Sequence, residues 1–149
     1  MNSLYLDTSA LVKWYLPEEY SDEFETFISA IPGAHISSLA TVEFRCALNR
    51  RRRAGEIPDE LVGETYLTFT RQVDAGYLNL LPMNDSHFQS AAKLVELSTT
   101  PLRTLDALHL AAAQNAGCSE FATADRILAG SAHNLGFIVH PFFDLRKTS

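Results

Sequence analysis

Short apolar runs alternate with longer amphipathic stretches along the whole chain. The run Leu4 to Leu6, stopped by Asp7, predicts a first strand. Ser9 to Tyr15 predicts a helix halted at Pro17, and Glu18 to Ile31 a second one ended by Pro32-Gly33. Ala34 to Ser37 fits a short strand. Ser38 opens a strong helix that runs to about Arg53 and stops at Gly55. Pro58 to Asp74 predicts another helix, with proline in its first turn. Leu78 to Leu81 is a strand, Asp85 to Leu97 a helix, and Thr104 to Ala116 a helix ending at Gly117. Glu120 to Ala122, Arg126 to Ser131 and Phe137 to His140 complete the series as strand, helix and strand. Strands that alternate with helices predict an α/β fold with a mainly parallel sheet covered on both faces.

Composition narrows this picture. The 149 residues suit one domain spanning 1–149. With 46% hydrophobic and 20% charged residues the chain can build a core without staples. Cys46 and Cys118 are too few and too far apart for a disulfide scaffold or a cysteine zinc site. No run approaches the roughly 20 apolar residues of a membrane span, and Asp7 interrupts the apolar start where a leader would continue. A soluble, cytoplasmic protein is the expectation. The net charge of −6 argues against a general nucleic-acid coat. Arg45, Arg50, Arg51, Arg52 and Arg53 nevertheless concentrate five of the twelve basic residues in one helix. Arg50 to Arg53 end that helix, where they suit its dipole.

Asp7, Glu43, Asp106 and Asp125 sit beside or inside apolar segments, where a carboxylate needs a reason. Asp7 ends the first strand, and Asp125 follows another by a short turn. Ligands of open parallel sheets bind at such strand ends. Glu43 falls on the stripe of Leu39, Val42, Cys46 and Ala47, so the expectation is an inward-facing acid. Asp106 lies within Leu105-Asp106-Ala107-Leu108. Each aspartate has a plain alternative. Asp7 and Asp125 could cap the helices that follow, and Asp106 could sit in a favoured first turn. Glu43 could pair with an arginine. Clustered carboxylates raise one another's pKa, and an oxygen-only set that relieves this with a cation selects Mg²⁺ or Mn²⁺. Such a site suits attack on a phosphodiester.

The segment Leu4 to Lys13 resembles the opening of PIN domains, and Ser38 to Glu43 resembles their second acidic motif. Leu105 to Ala111 and Phe121 to Arg126 resemble the third and fourth. Order and spacing agree over essentially the whole chain, with an acid at every acidic position. Within that family the length is similar to VapC-type toxin ribonucleases of toxin–antitoxin systems. The resemblance implies a parallel five-stranded sheet between helices and a Mg²⁺- or Mn²⁺-dependent endoribonuclease. It makes Asp7, Glu43, Asp106 and Asp125 the metal-binding, catalytic acids, with Ser9 and Thr123 in support. It implies RNA as substrate, a homodimer, and an antitoxin whose C-terminal tail enters the active site.

On this reading Asp7 and Asp106 hold the metal, and Glu43 and Asp125 act through water. Lys13, Arg103 and Arg126 lie near the acidic motifs and are candidates for phosphate contacts. Arg50 to Arg53, if they do more than suit their helix dipole, contact RNA or the antitoxin. His109, three residues after Asp106, is expected as a packed histidine. Trp14, Tyr15 and Phe24 are expected in the core or an interface. A phosphatase of the haloacid dehalogenase type needs a second acid two residues after the strand-end aspartate, and position 9 is serine. The alternative that stands is a non-catalytic PIN-type module binding RNA or protein.

Overall fold

The computed structural model describes residues 3–146. In chain order it contains β1 (Leu4–Leu6), α1 (Thr8–Tyr15), α2 (Ser21–Ser29), β2 (Ala34–Ser37), α3 (Leu39–Arg53) and α4 (Asp59–Asp74). Then follow β3 (Leu78–Leu81), α5 (Asp85–Leu97), α6 (Thr104–Asn115), β4 (Glu120–Thr123), α7 (Arg126–Asn134) and β5 (Ile138–Pro141). The five strands form one sheet in the order β3-β2-β1-β4-β5, and every pairing is parallel. Tyr5 lies opposite His35 on one side and Phe121 on the other.

β1 is the central strand and is buried on both faces. Alternation then divides its side chains between two cores. Leu4 and Leu6 join Leu11, Phe24, Phe44, Leu48 and Phe69 on the side of α1 to α4. Tyr5 joins Leu110, Phe121, Leu128 and Ala132 on the side of α6 and α7. The result is a three-layer α/β/α arrangement, the fold class the alternating pattern predicts. Phe24 is buried, and Trp14 and Tyr15 pack against the same core. Among the described residues no helix is long and apolar enough to cross a membrane.

Several boundaries differ from the sequence pattern by a residue or more, some for a clear local reason. α1 starts at Thr8, because the Asp7 side chain caps it by accepting from the Ala10 N–H at 2.9 Å. The helix expected over 18–31 is only Ser21–Ser29. Ser21 Oγ ties the preceding turn together, accepting from Glu18 N at 3.0 Å and donating to Leu16 O at 2.9 Å. Tyr20 takes a left-handed φ of 70° there. α7 runs on to Asn134 and ends where Gly136 adopts a φ of 94°. The last strand is shifted by one residue as a consequence.

The face that α3 buries also differs. Ala40, Phe44 and Leu48 enter the core, while Val42 is 65% exposed and Cys46 is exposed. Of the predicted stripe, Leu39 and Ala47 pack against the edge of the cores, while Val42 and Cys46 do not. Aromatic bulk decides this: Phe44 packs edge-on to Phe69 at 5.1 Å and beside Tyr15 at the same distance.

Candidate active site

β1 and β4 are neighbours in the sheet, and the loops that leave their carboxyl ends carry Asp7 and Asp125. This is the crevice position of an open parallel sheet. Asp7 extends the ladder, donating its N–H to Ala122 O at 3.2 Å. Its carboxylate is buried and held only by neutral donors. Oδ1 accepts from Ser9 Oγ at 2.7 Å and from Ala10 N, and Oδ2 accepts from the Thr123 hydroxyl. Ser9 Oγ also accepts from Ala124 N at 2.9 Å, and Thr123 Oγ1 accepts from Asp125 N at 2.9 Å. Ser9 and Thr123 thus lash the end of β1 to the end of β4 around one carboxylate.

Asp125 is a helix cap as well as a candidate ligand. Its Oδ1 accepts from Ile127 N at 2.9 Å and Leu128 N at 3.1 Å, and Oδ2 meets Arg103 Nη2 at 3.2 Å. Asp106 lies in the first turn of α6. Its Oδ2 is buried with no hydrogen-bond donor, and Arg103 Nε stands 3.5 Å away as an ion-pair contact without hydrogen-bond geometry. Arg103, 70% exposed, therefore spans two of the four acids.

Glu43 reaches the same region from α3 with its side chain 24% exposed. Oε1 accepts from the Thr8 hydroxyl at 2.8 Å and faces His109 Nε2 at 2.6 Å. Nδ1 of His109 lies 2.6 Å from the Tyr5 hydroxyl, which donates to Ser37 Oγ at 3.0 Å. His109 is buried, as expected, but it links Glu43 to the centre of the sheet. Thr8, Tyr5, Ser37 and this role of His109 escape a motif-based reading. The available signal was position: Tyr5 and Thr8 flank Asp7, and His109 follows Asp106 by one helical turn.

The four motifs converge on one cleft. Thr8 and Ser9 beside Asp7, Glu43 itself, Leu105 beside Asp106 and Ala124 beside Asp125 line a cavity of about 510 Å³. Its charge is undercompensated. Burial pushes the Asp7 carboxyl above its ordinary value, against the opposing charge of His109 and its hydrogen bonds. Burial, then the nearby Asp125, push Asp106 up, and Arg103 and His109 only partly offset this. Burial also works to raise Glu43, but the hydrogen bond and charge of His109 with the Thr8 hydroxyl outweigh it and hold Glu43 below its ordinary value.

The donor set is all oxygen and fits a hard divalent ion in kind. The orphaned Oδ2 of Asp106 and the raised carboxyls of Asp7 and Asp106 are what such an ion would relieve. Among the described residues, however, no group of three or more His, Cys, Asp or Glu side chains is placed to hold a metal together. Two of the three candidate phosphate contacts are engaged by other groups. Lys13 is buried, its ammonium 3.1 Å from Glu18 Oε1 and bonded to Glu19 O. Arg126 bonds Asp144 O and stacks on Phe143 at 4.7 Å, anchoring the last described residues.

The PIN domain family model matches residues 4–133. The chain is similar to Ribonuclease VapC47 of Mycobacterium tuberculosis, 28% identical over 141 residues that cover 91% of this chain and 93% of that one. The fold is similar to the crystal structure of Mycobacterium tuberculosis VapC20, described as a sarcin-ricin loop cleaving toxin. The TM-score is 0.69 at 14% identity, covering 87% of this chain and 95% of that one. A toxin–antitoxin complex from Klebsiella pneumoniae is similar with a TM-score of 0.60 at 17% identity, covering 86% and 92%. Fold, ordered acidic motifs and the family match agree, and the chain belongs to the PIN domain family.

Proposed function

We propose that this chain is a divalent-metal-dependent endoribonuclease and the toxin of a VapBC-type toxin–antitoxin pair, acting in the cytoplasm. The observation that carries the reading is the convergence of all four acidic motifs on one cleft at the carboxyl ends of β1 and β4. The similarity to Ribonuclease VapC47 over nearly the whole chain supports RNA as substrate. The Klebsiella pneumoniae complex supports an antitoxin partner. A homodimer is part of the same proposal.

Asp7 and Asp106 would hold Mg²⁺ or Mn²⁺, with Glu43 and Asp125 acting through water. The ion, when bound, polarises a phosphate oxygen and lowers the pKa of water. Ser9 and Thr123 keep Asp7 in place through hydrogen bonds to both its oxygens. Both bonds to Glu43 fall on Oε1, so Oε2 is the oxygen left to orient the attacking water. In-line attack would leave a 5′-phosphate and a 3′-hydroxyl. The test is an end-labelled RNA incubated with the purified chain in Mn²⁺, in Mg²⁺ and in excess chelator. Cleavage is expected with either ion, with loss of at least 10²-fold on chelation. Full cleavage in chelator would refute the metal requirement.

A second reading has one observation in its favour. Arg103 already spans Asp106 and Asp125, as it would in a non-catalytic module that binds RNA or protein. Arg103→Gln separates the two. In a metal site this variant removes a competing cation, and Mn²⁺ affinity by calorimetry is expected to rise several-fold. Heat-silent titrations of both proteins would favour the non-catalytic module.

A further inference from the structure

α3 carries a second charged surface beside the cleft. Arg45, Asn49, Arg50 and Arg53 face an open groove of about 650 Å³ that is closed on its far side by Tyr66 of α4. Cys46 and Arg50 line both this groove and the acidic cleft, so the two are continuous. The Arg45 guanidinium lies over the Tyr66 ring, 3.7 Å from its centroid. Stacking of this kind fixes the guanidinium plane and leaves its N–H edge free for a planar anion. Arg45, Arg50 and Arg53 have no carboxylate partner among the described residues, whereas Arg51 is paired with Glu18 and Glu56.

These free cations are out of keeping with their surroundings. The chain carries a net charge of −6, and the acids gathered at the cleft, with Glu43 in its lining and Asp7, Asp106 and Asp125 next to residues that line it, repel a phosphodiester. A nuclease site of this sign must take its substrate affinity from outside the acids. On the reading that the cleft cleaves RNA, we propose that the α3–α4 groove binds the sugar–phosphate backbone of single-stranded RNA next to the bond being cut. Arg45, Arg50 and Arg53 are its phosphate contacts. They extend about 12 Å along α3 at the usual helical rise. RNA fits better than an acidic protein because the groove opens into the cleft through Arg50, so a strand lying in one is delivered to the other. Phosphate contacts of this kind set position and not sequence.

The experiment measures binding of a fluorescent 12-nucleotide single-stranded RNA by anisotropy, in chelator, across a salt series. A polyglutamate peptide is titrated in parallel. Three full-length proteins are compared: the unsubstituted chain, Arg45→Gln/Arg53→Gln, and Arg52→Gln/Lys93→Gln. The last loses the same charge from exposed positions outside the groove. The groove variant is expected to bind RNA about tenfold more weakly, with a log–log salt slope shallower by about 1.4. The control is expected to change less than twofold. Equal losses in both variants would make the effect one of overall charge and overturn the groove. RNA affinity kept while polyglutamate affinity falls would overturn it in favour of a protein-binding surface. An unsubstituted chain that cleaves RNA while the groove variant keeps its affinity defeats the groove alone. One that neither binds nor cleaves RNA defeats the ribonuclease reading with it.

Discussion

Asp7→Asn is expected to lower RNA cleavage by about 10³-fold, about 4 kcal/mol of barrier, while making the protein more stable. The two effects share one cause. The Asp7 carboxylate is buried among neutral donors, with no cation of the described residues in direct contact. Burial raises its pKa in the folded state. A raised acid binds its proton more tightly when folded than when unfolded. Its favourable contribution is full below the unfolded pKa and is lost as pH rises through the folded one. Ionising this carboxyl inside the fold carries a cost that asparagine does not. Asparagine keeps an oxygen acceptor for Ala10 N and Ser9 Oγ, and the Thr123 hydroxyl can turn to accept from its amide. The thermal midpoint is expected to rise by about 2–4 °C at pH 7, the shift that about 1 kcal/mol gives in a domain of this size. The gain should shrink toward pH 4, and Mn²⁺ should narrow it by stabilising only the unsubstituted chain. Thermal scans at two pH values with and without Mn²⁺ check both parts. A destabilised Asp7→Asn protein would show that the ionised carboxylate is no cost to the fold, because asparagine caps a helix as well as aspartate does.

The fold was largely legible because strands and helices are patterned differently and punctuated by proline and glycine. Leu4 to Leu6 and Leu78 to Leu81 read as strands and are strands. What the pattern could not show was which face of a helix is buried when several faces are partly apolar. Leu39, Val42 and Cys46 form a credible stripe, but the volume of Phe44 and Leu48 fills the core instead. The stripe that carries Glu43 is thus divided, with Leu39 and Ala47 packed at the edge of the cores and Val42 and Cys46 exposed. Glu43 lies at the margin between the buried face and the cleft, and its burial comes from Thr8 and His109. Likewise Lys13 is close to Asp7 in sequence, but α1 turns its ammonium toward Glu18 at the far end of the helix. Sequence proximity places a residue on an element, and the rotation of that element decides what the side chain meets.

His109→Leu is expected to reduce kcat by about 10²-fold with KM nearly unchanged, because the residue positions Glu43 and faces no substrate. Glu43 is long and only partly buried, and holding it in one rotamer costs about 1.5–2 kcal/mol of side-chain entropy. The bond to His109 at 2.6 Å offsets that cost, and the Tyr5 hydroxyl fixes the imidazole from behind. Burial keeps the Tyr5 phenol neutral, well above its ordinary pKa, so the support does not change with pH in the working range. Leucine fills the volume but leaves Glu43 with Thr8 alone. The acid limb of stability carries the independent signature. Glu43 is held below its ordinary pKa, so its contribution is present above the unfolded value and is lost as pH falls through the folded one. His109→Leu removes the partner responsible, and its stability deficit should be largest at neutral pH and fade in acid. Tyr5→Phe keeps the imidazole but loosens it, and a smaller fall of about tenfold in kcat is expected. His109→Gln retains a donor within reach of Glu43 and should recover part of the loss. Kinetics of all three variants, with thermal scans at acid and neutral pH, separate positioning from packing. A packing role alone would lower the midpoint equally at every pH and leave kcat intact at temperatures well below it.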